Sequence, residues 1–578
     1  MKNWQQSIRS ARDAGVVLCV LVVGLAVTGC TKKAYKKQAD NEVYSIIEKV
    51  EGGIFGVTNE FTINTKWSDL DPDTIFATEI IKERTETNTL VLNLDLALDL
   101  ATTQSRRYQT QKEQLYLTAL TLTGEQYQFG PQFFANISGD YTKTVTGERI
   151  GSLNSGGGVS QFFKTGGSLS VNLFNDILHY YTGNPRNSTI NSMSVSFFQP
   201  LLRGFGKNNP AVERLTQAER NVIYAVRSYS YFQNEYAIEI VNDYFNLLGV
   251  KNVIRNNYAN YVSQQDSTKR LEARSVDREA IGDVDQARQS ELNAKNNYIN
   301  SIAAYFNALD SFKIKLAIPL DVRVFIDDGE LDELDRIGLI PVEIDKEAAF
   351  KLATEKNYNI LNSVDKFEDA KRKIGVAANQ LKADLNIIGN AALASDGPTD
   401  YTSFDIDNVR YNVGVELDLP IDRLRERNAY RSTLVNFEAA IRTLALDLDT
   451  LKDLIERGTR TLEQRRQNYI IDRSSVRVAE RRVESTTLKI AAGRATVRDL
   501  VEAQNALIES QNSVVSSLVN YQAARLDLLL NIGIVRTDTV NFWFESQLDT
   551  APEIIATNYK PLDLSGDAVI PPDELFRN

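Results

Sequence analysis

Cysteine and histidine are almost missing from this chain of 578 residues: it holds two Cys, at 19 and 30, and a single His, His179. That shortage removes the usual ligands of structural zinc and the usual general base. No GxxxxGK string able to cradle a phosphate occurs, and no Cys/His spacing of the zinc-binding kind. His179 stands alone in a stretch rich in Gly, Ser and Asn, which reads as surface loop. The chain is therefore expected not to be an enzyme, and to need no cofactor or metal. Basic clusters are missing as well, since 65 Lys and Arg are outnumbered by 76 Asp and Glu, for a net charge of -11. Nucleic-acid binding needs a basic stripe against phosphates, so no such partner is expected. Proline is absent between Pro210 and Pro319 and from Arg425 to Ile532, so nothing there forces a helix to break. The apolar run Ala14 to Val27 is shorter than the roughly 20 residues a membrane-spanning helix needs.

What is present begins with a leader. Lys2, Arg9 and Arg12 precede the apolar run, and Val27-Thr28-Gly29-Cys30 closes it. This resembles a bacterial lipoprotein signal, with Val27 in place of the usual Leu. Residues 1–29 are then a signal peptide and Cys30 the lipidated first residue of the mature chain; a plain secretory signal is the alternative. Cys19 falls inside the removed segment, so an exported chain without a disulfide is expected. Residues 30–89 show no sustained period and read as a lipid-anchored spacer with little regular structure.

Duplication organises the rest. The string GRATVRDLVEAQNAL, from Gly493, leads into a long helix of small and aliphatic residues, and AIGDVDQAR, from Ala280, leads into a similar one. At an offset of 216, Asp283 matches Asp499, Ala287 matches Ala503, Tyr305 matches Tyr521 and Ala308 matches Ala524. Upstream of each lies the same succession. A helical pattern (Leu90 to about Phe129; Asp345 to about Leu381) is followed by a pair of strands of about ten residues, Gln132–Thr144 with Met193–Leu202, and Ala383–Ala394 with Val409–Leu419. Pro200 and Arg203 at the first strand-to-helix junction match Pro420 and Arg423 at the second.

Strands of that length cross a tilted barrel wall, and soluble hairpins look the same. Helices on one side of the membrane require an even number of crossings. Two per half are assigned, and a further hairpin around Gly166 is placed outside the wall, within a loop 145–191. After each pair runs a seam spaced by three and four: Leu215, Ala218, Val222, Ala225, Tyr229, Phe232, Tyr236, then Leu434, Phe437, Ile441, Leu444, Leu448, Leu451, Ile455. Helical hairpins over 210–318 and 425–532 follow, joined by a linker at 319–344. The acidic, proline-bearing tail 534–578 is expected to be periplasmic and loosely ordered.

The lipoprotein-type leader, the two repeats of helix, strand pair and helical hairpin, and the strings QPLLRGFG, EAIGDVDQAR and GRATVRDLVEAQ together resemble the TolC-like outer-membrane efflux factors, over about Leu90 to Gly533. The resemblance implies a membrane α/β fold: a trimeric outer-membrane β-barrel, four strands per protomer and twelve in all, continued by a long α-helical coiled-coil periplasmic barrel. It implies an exit duct in the outer membrane, lipid-anchored, serving a tripartite efflux or type I secretion system. Its partners are then the lipid bilayer, a periplasmic adaptor (membrane fusion protein) and an inner-membrane transporter. By the family's pattern Asp499 and Glu502 line a periplasmic gate, with Asp283 of the first repeat, whose partner position is Gln286 rather than an acid, as the weaker third member; Gly282 and Gly493 read as permitting the tip turns, or else as plain helix caps. Copies of Asp499 and Glu502 brought together by threefold symmetry would attract cations and raise one another's pKa. The alternative is a pair of solvated acids at a helix start. The family's latch Tyr and Arg are replaced by Ile490 and Ala495, with Arg494 and Arg498 displaced nearby. Two other readings stand beside the duct: a coiled-coil structural lipoprotein without a pore, and a periplasmic adaptor. An adaptor carries one hairpin, whereas this chain has two.

Overall fold

A computed structural model describes residues 32–545 except 59, 146, 181–186, 276–280, 341, 396–403, 420 and 540. The leader 1–29, Cys30, Pro420 and all of the tail beyond 545 lie outside the described residues.

In chain order the helices and strands are α1 (Lys32–Phe55), α2 (Ala77–Arg84), β1 (Thr89–Leu92), α3 (Leu94–Thr103), α4 (Arg106–Tyr127), β2 (Gln132–Lys143), β3 (Arg149–Phe162), β4 (Ser168–Tyr180) and β5 (Asn187–Pro200). The long α5 (Pro210–Ser275) and α6 (Ile281–Lys315) come next, then β6 (Arg323–Ile326), α7 (Gly329–Ile337), α8 (Lys346–Lys356) and α9 (Tyr358–Asn379). The chain continues through β7 (Asp384–Ala394), β8 (Arg410–Asp418), α10 (Leu424–Ala491) and α11 (Val497–Ile532). It divides into two compact units. One holds Met1–Ile63, Glu113–Val226 and Gly375–Tyr430, and the other Asn64–Lys112, Arg227–Ile374 and Arg431–Asn578. Each sequence repeat contributes to both.

The first unit is built on one antiparallel sheet of six strands in the order β2-β3-β4-β5-β7-β8. This corrects the expectation of four. Residues 149–180 are not a loop with a detached hairpin but two full strands, paired to β2 on one side and β5 on the other. The signal was faint because β3 is built from Gly and Ser. The tight turn at 163–167, with Gly166 at its centre, docks against the stretch that follows β5: Gly206 N–H donates to Thr165 O at 2.9 Å, and a Cβ on Gly166 would collide with the carbonyl of Gly204. His179 is a strand residue paired with Gly151 and Asn187, not a loop residue.

The spacer assigned to 30–89 also differs from expectation, because α1 and α2 occupy much of it. Only Val43, Ile47 and Glu51 of α1 are buried, a stripe too thin to stand out as a period. It is anchored by Tyr44, whose ring meets Phe61 and Tyr116, and by the Tyr116 hydroxyl donating to Asp40 at 2.8 Å.

The second unit is mostly helical, and two of its helices, α5 and α10, begin in residues of the first. Pro210 opens α5 at a position where its missing N–H costs nothing, and the 66-residue helix is about 99 Å long at 1.5 Å per residue. Six of its seven expected seam residues are buried; Ala225 is half-buried. On α10 the expected seam is buried only from Leu451 onward, and Ile441 is exposed. The linker 319–344 carries regular structure: β6 pairs in parallel with β1, and Tyr244 closes the pair by donating to Asp327 O at 2.9 Å. Residues 90–92 accordingly form a strand, and the first helical pattern is broken into α3 and α4 at Gln104 and Ser105. α11 ends at Gly533, in the left-handed region at φ 87°, whose N–H donates to Leu529 O and Leu530 O. Buried Arg525 donates to the carbonyls of Trp543 and Glu545, pinning the segment after the helix.

Candidate channel wall and helical tip

Backbone pairing sorts every residue of the six-stranded sheet onto one of two faces. A row perpendicular to the strands joins Phe133, Val159, Val171, Val195, Ala391 and Tyr411, all on one face. The neighbouring row joins Gln132, Ser160, Ser170, Ser196, Asn390 and Asn412, all on the other. The same contrast holds along each edge strand: Phe133, Ile137 and Tyr141 oppose Asn136, Ser138 and Asp140 on β2, and Tyr411, Val413 and Val415 oppose Asn412 and Glu416 on β8. The apolar face lies bare, with Phe133 79% and Val413 75% exposed. It carries a polar row, Ser155, Asn175 and Asn191, beyond its middle, and further polar residues toward its ends, among them Gln161, His179 and Gln199. On the polar face Phe134 and Phe174 lie across Gly158 and Gly156, where a Cβ would fall within 2.9 Å and 2.5 Å of the rings. Aromatic cover of this kind restores packing that strand glycines lack.

At the strand-to-helix junction Arg203 is shared among three partners: Gln380 Oε1 at 3.1 Å, Asp384 Oδ2 at 3.3 Å and Glu426 Oε1 at 3.8 Å. Gly204 N–H donates to Asn379 Oδ1 at 2.7 Å, and Asn209 Nδ2 to Gly204 O at 2.7 Å. Pro200 is the last residue of β5 and pairs with Asn386. Arg423, the repeat equivalent of Arg203, donates to the carbonyl of Leu381. Both arginines thus tie the start of a long helix to the entry into β7.

At the far end of the helices the sequence-selected residues come together in part. Gly493 adopts φ 68° just after α10, so only a residue without Cβ turns there at no cost. Gly282 lies instead inside the first turn of α6. Asp499 completes a capping box: its carboxylate accepts from the Thr496 N–H at 2.8 Å and the Thr496 hydroxyl at 2.7 Å, and its own N–H donates to Thr496 Oγ1. Those Thr496 bonds, with Arg482 and Arg498 adding positive charge, hold its pKa below the ordinary carboxylate value. Glu502, one turn on, pairs with Arg482 of α10 at 2.7 Å. Asp283 is half-buried in the first turn of α6, in the other hairpin.

Sequence reasoning missed what joins the two hairpins. Leu271 of α5, Ala287 of α6 and Val497 of α11 form a buried cluster, with Val284 and Val501 packed against it. Further along, Gln504 donates to Ser263 Oγ at 2.7 Å and Asn256 to Asn512 Oδ1 at 2.8 Å. The repeat pairs Ala287 with Ala503, both of them buried, and a small residue recurring just after a valine, Val284 and Val501, was the available signal. Among the described residues no group of His, Cys, Asp or Glu is placed to hold a metal, and no helix is long and apolar enough to cross a membrane.

A sheet with one bare apolar face, followed by antiparallel helical hairpins in tandem repeat, defines the fold class: that of the TolC-like outer-membrane channels. No protein-family model and no characterised sequence matches the chain. Among solved structures, it is similar to the CmeC outer-membrane channel of Campylobacter jejuni, with a TM-score of 0.54 and 15% identity over 88% of this chain and 98% of that one. It is similar also to the outer-membrane protein VceC of Vibrio cholerae, with a TM-score of 0.56 and 14% identity over 76% and 96%. The MtrE outer-membrane channel of Neisseria gonorrhoeae, solved in an open state, gives 0.56 and 12% over 76% and 88%. At such identities the likeness is one of fold.

Proposed function

We propose that the protein is the outer-membrane exit duct of a tripartite efflux or type I secretion system, lipid-anchored through Cys30 and assembled as a homotrimer. The observation that carries this reading is the two-faced sheet with an apolar side bare to its surroundings. In water such a side would be a costly patch, whereas against lipid it is the wall of a barrel and its polar side faces a wet lumen. The uncovered upper part of α10, where no residue from Leu424 to Thr450 is buried, supports neighbours of the same kind along the helices. The duct conducts passively. Energy comes from an inner-membrane transporter reached through a periplasmic adaptor, because the chain carries no nucleotide-binding string.

Asp499, Glu502 and Asp283 form its acidic periplasmic gate in this reading, with Arg482 as the counter-charge that balances Glu502 within one copy. A structural lipoprotein without a pore leaves the apolar face unexplained. Purified protein in a planar lipid bilayer is expected to give discrete, cation-preferring conductance steps. Protein that inserts and yet carries no current refutes the duct.

A further inference from the structure

We infer that β3 and β4 are part of the membrane wall, so that each copy of the chain supplies six strands to a closed barrel, its β8 edge pairing with the β2 edge of the next copy. This rests on the duct reading and changes its bore. Three observations carry it.

The first is the face pattern. If the β3–β4 hairpin stood clear of the membrane, nothing would require its alternation to agree with that of its neighbours. Yet Leu153, Val159, Val171 and Leu173 fall on the apolar face of the whole sheet, while Asn154 and Asn172 fall on the polar one.

The second is the stagger. The row that starts at Gln132, the first residue of β2, ends at Asn412, six residues short of the matching end of β8 at Asp418. A climb of six residues at about 3.3 Å over five gaps of about 4.8 Å is a tilt of about 40°, inside the 35–45° range of closed barrels. The strand ends advance by two residues at β3, by none at β4 and by two at each of β5 and β7, so the β3–β4 pair takes part in the climb.

The third is the pair of edges. Among the described residues β2 and β8 each pair with a single neighbouring strand, and an edge left open in that way is not tolerated in lipid. With an even number of strands, β2 and β8 run in opposite directions, so identical copies join edge to edge in antiparallel pairing and close into a ring. Continuing the stagger across that joint sets Arg410 of one copy opposite or diagonal to Asp140 of the next, on the polar face. The two charges are opposite in sign, at the same end of the wall.

Three copies of a six-stranded sheet make eighteen strands. Since barrel width grows with strand number, the backbone diameter is about 36 Å, against about 24 Å for twelve strands at the same tilt.

The test places single cysteines in the full-length protein at Leu153, Leu173 and Ile177, with Asn154 and Asn172 on the opposite face and Val413 and Val415 on β8 as references. Each variant carries an environment-sensitive fluorophore and is reconstituted in liposomes, with the unsubstituted protein as the blank. Leu153, Leu173 and Ile177 are expected to lose fluorescence to a doxyl-labelled lipid and to be spared by aqueous iodide, with the reverse at Asn154 and Asn172. If Val413 and Val415 meet lipid while the three β3–β4 positions meet iodide, the six-stranded wall is wrong and the duct survives. If all five meet iodide, the duct fails with it. Edge pairing is read separately from a double variant, Ile137→Cys with Val413→Cys, oxidised in the membrane. Linked multimers are expected on gels, and monomers alone would overturn the joint between copies.

Discussion

Two left-handed glycines differ in one respect that permits a sharp test. Gly493 at φ 68° has no atom within 4 Å of where a Cβ would stand, whereas at Gly533, φ 87°, that Cβ would lie 2.9 Å from Asn357 N and 2.9 Å from Lys356 C. Alanine at either position incurs the left-handed penalty of about 1–2 kcal/mol. At Gly533 it must also push back the backbone between α8 and α9, which adds about 1–3 kcal/mol on the scale of overpacked sites. Gly533→Ala should therefore destabilise by about 2–5 kcal/mol and Gly493→Ala by about 1–2 kcal/mol. Asparagine separates the two contributions, since it tolerates the left-handed region but still carries a Cβ. Gly493→Asn should recover most of the stability, and Gly533→Asn should recover little. The assay is chemical denaturation followed by circular dichroism at one fixed protein concentration, because the proposed trimer would make stability depend on it. Equal costs for the two alanines, or equal rescue by the two asparagines, would show that the Asn357 contact does not constrain Gly533.

Other outcomes follow from the tip and the tail. Arg482→Gln should raise the cation preference of bilayer currents by freeing Glu502, and Glu502→Gln should lower it. Neither should shift stability by more than about 1 kcal/mol, as befits an exposed pair. The Asp499 pKa is depressed from the ordinary 3.8, so its cap contributes fully above that value and is lost as pH falls through the lower folded one. Amide-exchange protection at the start of α11 should hold at pH 5 and drop in stronger acid, a dependence that Asp499→Asn abolishes. Arg525 has its pKa pushed down to about 10, chiefly by burial, and its guanidinium serves the carbonyls of Trp543 and Glu545. Arg525→Met leaves those acceptors unmet, at a cost of about 2–4 kcal/mol, and should expose residues 541–545 to limited proteolysis.

Much of this architecture is legible in the residue order. The tandem repeat announces itself through Asp283 and Asp499 and through Tyr305 and Tyr521, and the long helices through seams such as Leu215 to Tyr236. Both are local periodicities, and three-and-four spacing survives translation into a helix almost unchanged. Asp499 and Glu502 stand out by pattern, and their partners do not. That Asp499 faces Thr496 follows from a capping box readable over four residues, whereas the Arg482 partner of Glu502 lies across a hairpin turn. The helix α1 escaped notice because a buried stripe of three residues barely rises above the noise of a polar segment.

Strand count was decided only in three dimensions. Residues 149–162 read as loop because glycine and serine have weak preferences of their own. What makes them a strand is hydrogen bonding to β2 and β4, on partners that supply the aromatic cover. The parallel pair β1–β6 joins segments more than two hundred residues apart, beyond the reach of any local pattern. Sequence order by itself determined that this chain is a duplicated set of strands and long amphipathic helices, because side-chain periodicity is a property of neighbours. Which strands share a sheet, which face is mainly apolar and which edges stay open were decided by the tertiary structure, because backbone pairing joins groups that the order of residues keeps far apart.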